Sequence, residues 1–173
     1  MNKQEPAVGS VRILQQDDLE MVLSWRNHEQ VRQMMFSSEP ISLEQHTGWF
    51  ERASKEADRQ LLVFELDGQP TGFANLGRIA CGGITDWGFY LAPHAPKGSG
   101  RQLGFTILTH AFRALKLHKV CGQVLDFNQR SIQFHLNQGF QQEGIFRQQH
   151  FDGRQYHDIR CFGLLAADWL ANN

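Results

Sequence analysis

Apolar and polar positions change period several times along the chain. VRILQ (11–15) is short, apolar and rich in β-formers, and predicts a first strand. Leu19, Val22 and Leu23 then recur at helical spacing, so a helix to about Asn27 is expected, with Asp17 as its cap and His28 at its end. A second short helical piece follows through HEQVRQMMF. Ser42 with Gln45 three residues on is a capping box and predicts a helix to about residue 55. Between 59 and 79 two apolar runs flank Asp67-Gly68, the signature of a hairpin. TDWGFYLA (85–92) reads as a strand ending before Pro93. Leu103, Ile107, Leu108, Ala111, Phe112 and Leu115 define one face of a long helix over 98–117. HKVCGQVLDF (118–127) is a further strand, and 128–140 a short helix with Asn128 as cap and Gly139 as stop. Residues 142–165 form a long hairpin around Asp152-Gly153, and AADWLANN adds a terminal helical turn. Trp25 and Phe50 are expected in the core of the first helices. No repeat or linker interrupts the series. The expectation is one α+β domain over 11–173, with about seven strands, behind a loose tail over 1–10.

Composition narrows the classes. The chain has 173 residues, 41% of them hydrophobic, with 13 Phe and 4 Trp, enough for a sizeable core. A formal net charge of −1 gives no electrostatic reason to expect nucleic acid or an anionic membrane as partner. Cys81, Cys121 and Cys161 form no C-x-x-C pair, and their odd number argues against a disulfide framework. No apolar run approaches a membrane span, and the N-terminus lacks a signal-like apolar segment. A cytoplasmic protein is the expectation. His150 and His157 are read as lying on opposite faces of a strand, with no supporting ligand pattern, so no metal is expected.

The candidate chemistry begins at APKGSGRQLGFTIL (95–108). Strand, glycine-containing loop and helix start follow in order, and a helix N-terminus offers free amides and a positive dipole to an anion. Taken alone, this fits an ordinary turn as well as a phosphate loop. A second stretch, NQRSIQFHLNQGF (128–140), resembles the N-x-x-A-x-x-x-Y-x-x-x-G-F motif of the GNAT acetyltransferases. KGSG (97–100) stands at the right distance upstream to be that family's pyrophosphate loop. The resemblance covers roughly 11–165. It implies a mixed, mostly antiparallel sheet splayed between its fourth and fifth strands, with flanking helices, and acetyl-CoA as cosubstrate. Three positions depart from the pattern: Ala95 replaces an Arg or Gln, Ser131 a small residue, and His135 the family's Tyr.

On this resemblance, main-chain groups of Phe89, Tyr90 and Leu91 pair with the pantetheine arm. Lys97, Gly98, Ser99, Gly100 and Arg101 meet the pyrophosphate, and Asn128 hydrogen-bonds the arm. His135 lies beside the cofactor sulfur. It is either the acid that protonates the departing thiolate or a packing residue. An imidazolium with a pKa of about 6.5 would give its proton readily to a thiolate whose thiol has one of about 8.5. WRNHEQVRQMMF (25–36) and EPISLEQHTGWF (39–50) are similar to the branch that acetylates a UDP-linked amino sugar in pseudaminic acid synthesis. That similarity implies UDP-4-amino-4,6-dideoxy-N-acetyl-β-L-altrosamine as acceptor. Arg26, His46 and Arg78 are then candidates for phosphate or sugar, and Phe36 and Trp87 for stacking on uracil or hexose. In the last hairpin, His150, His157 and Asp158 are candidates for taking the amine proton through water. Two other readings stay open, an acetyltransferase for protein N-termini and a binding domain without catalysis. An edge strand or the last hairpin could pair two copies into a homodimer.

Overall fold

The structure is a computed structural model and describes residues 9–173. Strand β1 (Gly9–Ile13) begins before position 11, so the expected tail is shorter than 1–10, and residues 1–8 lie outside the described part. A 3-10 turn over Gln16–Asp18 leads into α1 (Leu19–Asn27). Asp17 does not cap it. Asp18 stands at that position, and its carboxylate is already engaged by the Gln15 amide (2.8 Å) and the Arg12 guanidinium (2.7 and 2.8 Å). The second helical piece shrinks to one turn, α2 (Glu29–Arg32). Helix α3 (Leu43–Ala53) begins at the expected capping box, with the Gln45 amide donating to Ser42 Oγ (3.1 Å) and the Ser42 amide to Gln45 Oε1 (2.9 Å).

Strands β2 (Gln60–Leu66) and β3 (Gln69–Leu76) join through Asp67-Gly68, both in the left-handed region (φ 49° and 75°), as a two-residue hairpin requires. Strand β4 (Ile84–Leu91) leads to α4 (Ser99–Thr109). The long helix predicted over 98–117 ends in one wide π turn over His110–Ala114. Strand β5 (Lys119–Leu125), helix α5 (Gln129–Asn137), strands β6 (Gln141–Phe151) and β7 (Tyr156–Leu165) and helix α6 (Ala166–Asn172) complete the chain. Asn128 caps α5 through Oδ1 (3.1 Å from the Ser131 amide), and Gly139 (φ 93°) stops it.

The seven strands form one sheet in the order β1-β2-β3-β4-β5-β7-β6. All neighbours are antiparallel except β4 and β5, which run parallel. That parallel contact covers only Ile84–Asp86 against Lys119–Cys121. Beyond it, β4 stays with β3 as far as Leu91 and β5 stays with β7 as far as Leu125. The sheet is therefore forked at its centre.

Each face carries its own core. Phe64, Trp87, Leu103, Ile107, Val120 and Phe162 pack with α4, α5 and α6 on one face. Val22, Trp25, Ala53, Val63 and Phe73 pack with α1 and α3 on the other, with Phe50 only partly buried at the edge. Arg12 ties β1 to the 3-10 turn before α1 and to β2, since its Nε also reaches Glu65 (2.7 Å). The Arg12 bond holds the Asp18 carboxyl below the ordinary carboxylate range, against the opposing effect of burial. A depressed folded-state pKa gives stability that is present above the unfolded value and lost as pH falls through the folded one. Arg12→Met is expected to cost about 1 kcal/mol at neutral pH after solvent screening. It should also flatten the loss of stability below about pH 4. Urea denaturation as a function of pH checks both.

Candidate functional site

At the fork, main-chain groups lose their strand partners in a definite pattern. The Asp86 carbonyl accepts from the Gly77 amide (2.7 Å), and the Ala92 amide donates to the Thr71 carbonyl (2.8 Å). In an antiparallel ladder, every second residue turns its N–H and C=O to the same neighbour. Asp86, Gly88, Tyr90 and Ala92 thus face β3, while Trp87, Phe89 and Leu91 face the gap. On the other side, bonds from Ala166 to His118 (2.9 Å) and from Asp126 to Asp158 (3.1 Å) set the parity. Gln123 and Leu125 face the gap there. Of the predicted trio, Phe89 and Leu91 present main-chain groups to the opening. Tyr90 does not, because its main chain belongs to β3.

Just past β4, the chain turns into α4 at Gly98, in the left-handed region (φ 93°). Ser99 is buried, and its hydroxyl donates to the Pro96 carbonyl (2.7 Å), closing the turn. The amides of a first helical turn have no carbonyl one turn back, so this end presents donors and positive dipole. Lys97 and Arg101 are exposed beside it. A groove of about 1310 Å³ continues from here between α4, α5 and α6, lined by Gly98, Arg101, Arg130, Phe134 and Gln138 among others. Helices α4 and α5 approach closely at Gly104, where a Cβ would come within 2.6 Å of the Gln138 amide nitrogen. Donor amides at the helix start, Lys97 beside them, and Arg101 and Arg130 along the groove suit a long anionic ligand, with Asp168 the groove's one side-chain carboxylate.

His135 lies buried at the fork, against Gly122, and its surroundings do not suit an acid. It is 2% exposed, and both ring nitrogens are taken. Trp87 Nε1 donates to His135 Nε2 (3.1 Å), which makes Nδ1 the protonated nitrogen, and Nδ1 donates to the Ser131 carbonyl (2.7 Å). Burial holds its pKa below the ordinary value, with the Ser131 bond opposing, so the ring is neutral. No N–H remains to give to a thiolate. Trp87 is corrected by the same contact. It is 7% exposed and stacked on Phe140, and it cannot lie against uracil or a hexose. Asn128 Oδ1 is committed to its cap, leaving only the amide nitrogen for a ligand.

The opposite face of the fork gathers other candidates. His46 is 4% exposed and stacks on Trp49 (5.2 Å between centroids). Its pKa is lowered by burial first and then by the Arg26 charge. Arg26 donates through Nη2 to the Ser37 carbonyl (2.7 Å), while Arg26 Nη1 and His46 Nε2 are buried without a partner. Arg32 donates to the Ser38 carbonyl (2.9 Å). These two arginines hold 36–38 as a strap whose Phe36 meets His150 edge-on (5.7 Å). Arg26, Phe36, His46 and the Tyr90 side chain thus share one side of the sheet. Arg78 does not join them. It follows β3 at the far end, exposed and paired with Glu56 (3.5 Å).

His150 and His157 stand directly opposite each other on β6 and β7, their rings 6.3 Å apart. The reading of opposite faces fails because the hairpin turn lies between them. His157 is held by Asp152 (2.7 Å) and approached by Asp126 (3.5 Å), and Asp158 accepts from the Gln148 amide (2.8 Å). The arginine strap carries no local sequence signal. Only the packing shows it.

Comparison with known proteins agrees with the forked sheet. Residues 10–141 match the family described as "Acetyltransferase (GNAT) domain". The chain is 26% identical over 167 residues to the SPbeta prophage-derived uncharacterized N-acetyltransferase YokL of Bacillus subtilis (strain 168), covering 95% of this chain and 93% of that one. It is 25% identical over 130 residues to acetyltransferase PseH of Campylobacter jejuni subsp. jejuni serotype O:23/36 (strain 81-176), covering 73% and 79%. Among solved structures, spermidine N-acetyltransferase from Vibrio cholerae in complex with CoA and spermine superposes with a TM-score of 0.86 at 23% identity. That match covers 94% of this chain and 98% of the other. With well over half of its length matched and the sheet forked between β4 and β5, the chain belongs to the GNAT family and is an acetyl-CoA-dependent acetyltransferase.

Proposed function

We propose that this enzyme acetylates the 4-amino group of a UDP-linked amino-dideoxy sugar, the acetylation step of pseudaminic acid synthesis. The observation that carries this reading is the pair of buried, unpartnered nitrogens, Arg26 Nη1 and His46 Nε2, on the face away from the pyrophosphate groove. Among the described residues no carboxylate pairs with Arg26, and burial rather than a counter-ion dominates its environment. A buried polar atom without a partner costs about 1–3 kcal/mol. An oxygen-rich, anionic acceptor would relieve that cost, and a polycation such as spermidine would be repelled. Phe36, exposed on the strap that Arg26 and Arg32 hold, offers an aromatic surface for a base or sugar. The likeness to PseH and the pattern at 25–50 support the same acceptor.

In this reading the first-turn amides at Gly98 and Gly100, with Lys97 and Arg101, hold the pyrophosphate of acetyl-CoA. The pantetheine arm pairs with the gap-facing groups of Phe89 and Leu91. A gap-facing amide there supports the thioester oxygen as negative charge develops on it. The acceptor nitrogen attacks the carbonyl carbon and the carbon–sulfur bond breaks. The amine proton is lost, and coenzyme A leaves to end as the free thiol. Holding the two reactants across the fork supplies much of the rate.

Incubation with acetyl-CoA and the amino-sugar nucleotide should add one acetyl group by mass spectrometry. Acetylation of spermidine or of an N-terminal peptide, with the sugar nucleotide left unchanged, would sink the proposal. Arg26→Gln is expected to raise KM for the sugar nucleotide at least about tenfold while leaving KM for acetyl-CoA unchanged. Gly98→Val places a branched side chain at φ 93°. It should weaken CoA binding about tenfold by calorimetry, because a left-handed non-glycine residue costs about 1–2 kcal/mol.

A further inference from the structure

We infer that His135 is a positioning residue: with Trp87 it forms a polar strut at the crotch of the fork and sets the width of the gap that takes acetyl-CoA. Asp86 and Cys121 are the last paired residues of β4 and β5, so Trp87 and Gly122 are the first that diverge. His135 sits at that point. A Cβ on Gly122 would lie 2.5 Å from His135 Nε2 and 2.9 Å from Trp87 Nε1. The ring therefore packs directly on the bare main chain of β5 while it bonds the side chain of β4. Its other nitrogen is fastened to the first turn of α5. One imidazole thus links β4, β5 and α5 at the place where the strands part.

The rest of the contact is apolar. Phe162 of β7 stacks on the His135 ring (5.1 Å, 20°), and Phe140 and Trp87 meet it edge-on at 5.0 and 5.6 Å. Phe89 from β4 and Phe134 from α5 close the remaining sides. The groups facing the ring from β4, β5, α5, β7 and the turn after α5 are thus Trp87, Phe89, Gly122, the Ser131 carbonyl, Phe134, Phe140 and Phe162. None of them titrates near neutral pH. A second proton on His135 would aim an N–H at the Trp87 N–H, and the strut would become repulsive. The folded-state value is depressed, so the strut is intact at neutral pH. It fails only as pH falls below an ordinary imidazole's ~6.5.

The test needs no acceptor, so it stands apart from the choice of sugar. CoA affinity is measured by calorimetry for the wild type, Trp87→Phe, His135→Phe and the double variant. Each single change should weaken CoA about tenfold, and the double no more than either single, because both remove one bond. His135→Gln, whose amide oxygen can accept from Trp87, should recover part of the affinity. Wild-type affinity should fall on acidification in step with the His135 titration seen by NMR, and His135→Phe should lack that limb. Nitrogen-15 spectra of the wild type should show Nδ1 protonated and Nε2 bare. Unchanged CoA affinity in folded Trp87→Phe and His135→Phe would overturn the strut, as would an Nε2-protonated ring. If His135→Phe does not fold, Trp87→Phe, His135→Gln and the wild-type spectra decide between the same two outcomes.

Discussion

Strands β4 and β5 share a parallel ladder only from Ile84 to Asp86, and the rest of the site follows from its early end. A sheet that stayed closed would satisfy every peptide group in its middle and leave nothing to receive a ligand. Here Phe89, Leu91, Gln123 and Leu125 keep their main-chain groups turned to an opening. The outer strands pay no such penalty, since β3 and β7 remain fully paired with the diverging strands. Aromatic packing holds the arms apart. Trp87, Phe89, Phe134, His135 and Phe140 fill the space below the opening on one face, and a buried hydrogen bond joins Trp87 to His135.

The fork divides the molecule chemically. On the α4–α5 face the first turn of α4 is flanked by Lys97 and Arg101, and the groove beyond it holds Arg101 and Arg130 among neutral amides and one side-chain carboxylate, Asp168. On the α1–α3 face Arg26 and His46 are partly or wholly sunk into the protein, each with a nitrogen left unbonded. Such groups are costly in a folded chain unless something completes them. On the proposed function, one reactant lies along each face and the reacting atoms meet at the gap.

Replacing the family's Tyr by His changes what this position does. In the sequence, an imidazole spaced seven residues from Asn128 invites an acid–base role. In the folded chain its two nitrogens are spent on Trp87 and Ser131, and its ring lies between Phe162 and the main chain of Gly122. Burial and bonding both favour the neutral form. Neither nitrogen is left free to act on a thioester.

Local order was written in the sequence wherever neighbouring residues suffice to decide it. The Ser42–Gln45 box, the Asp67-Gly68 turn, the Asn128 cap and the Gly98 turn all depend on groups within a few positions, and each stands where the pattern placed it. The motif at 128–140, with the glycine loop upstream, was enough to reach the family and with it the forked sheet. What the sequence alone did not determine is contact across long separations. Trp87 meets His135 over 48 positions, Phe36 reaches His150, Arg26 spans from α1 to the strap, and His150 faces His157 only because the chain reverses between them. Arg78 and Asp17 looked eligible by type and place, yet Arg78 lies exposed at the far end beside Glu56, and the cap position falls to Asp18, whose carboxylate is spent on Arg12 and the Gln15 amide. Side-chain direction and the filling of hydrogen-bond capacity are set by packing, and packing exists only once the sheet has closed around its fork.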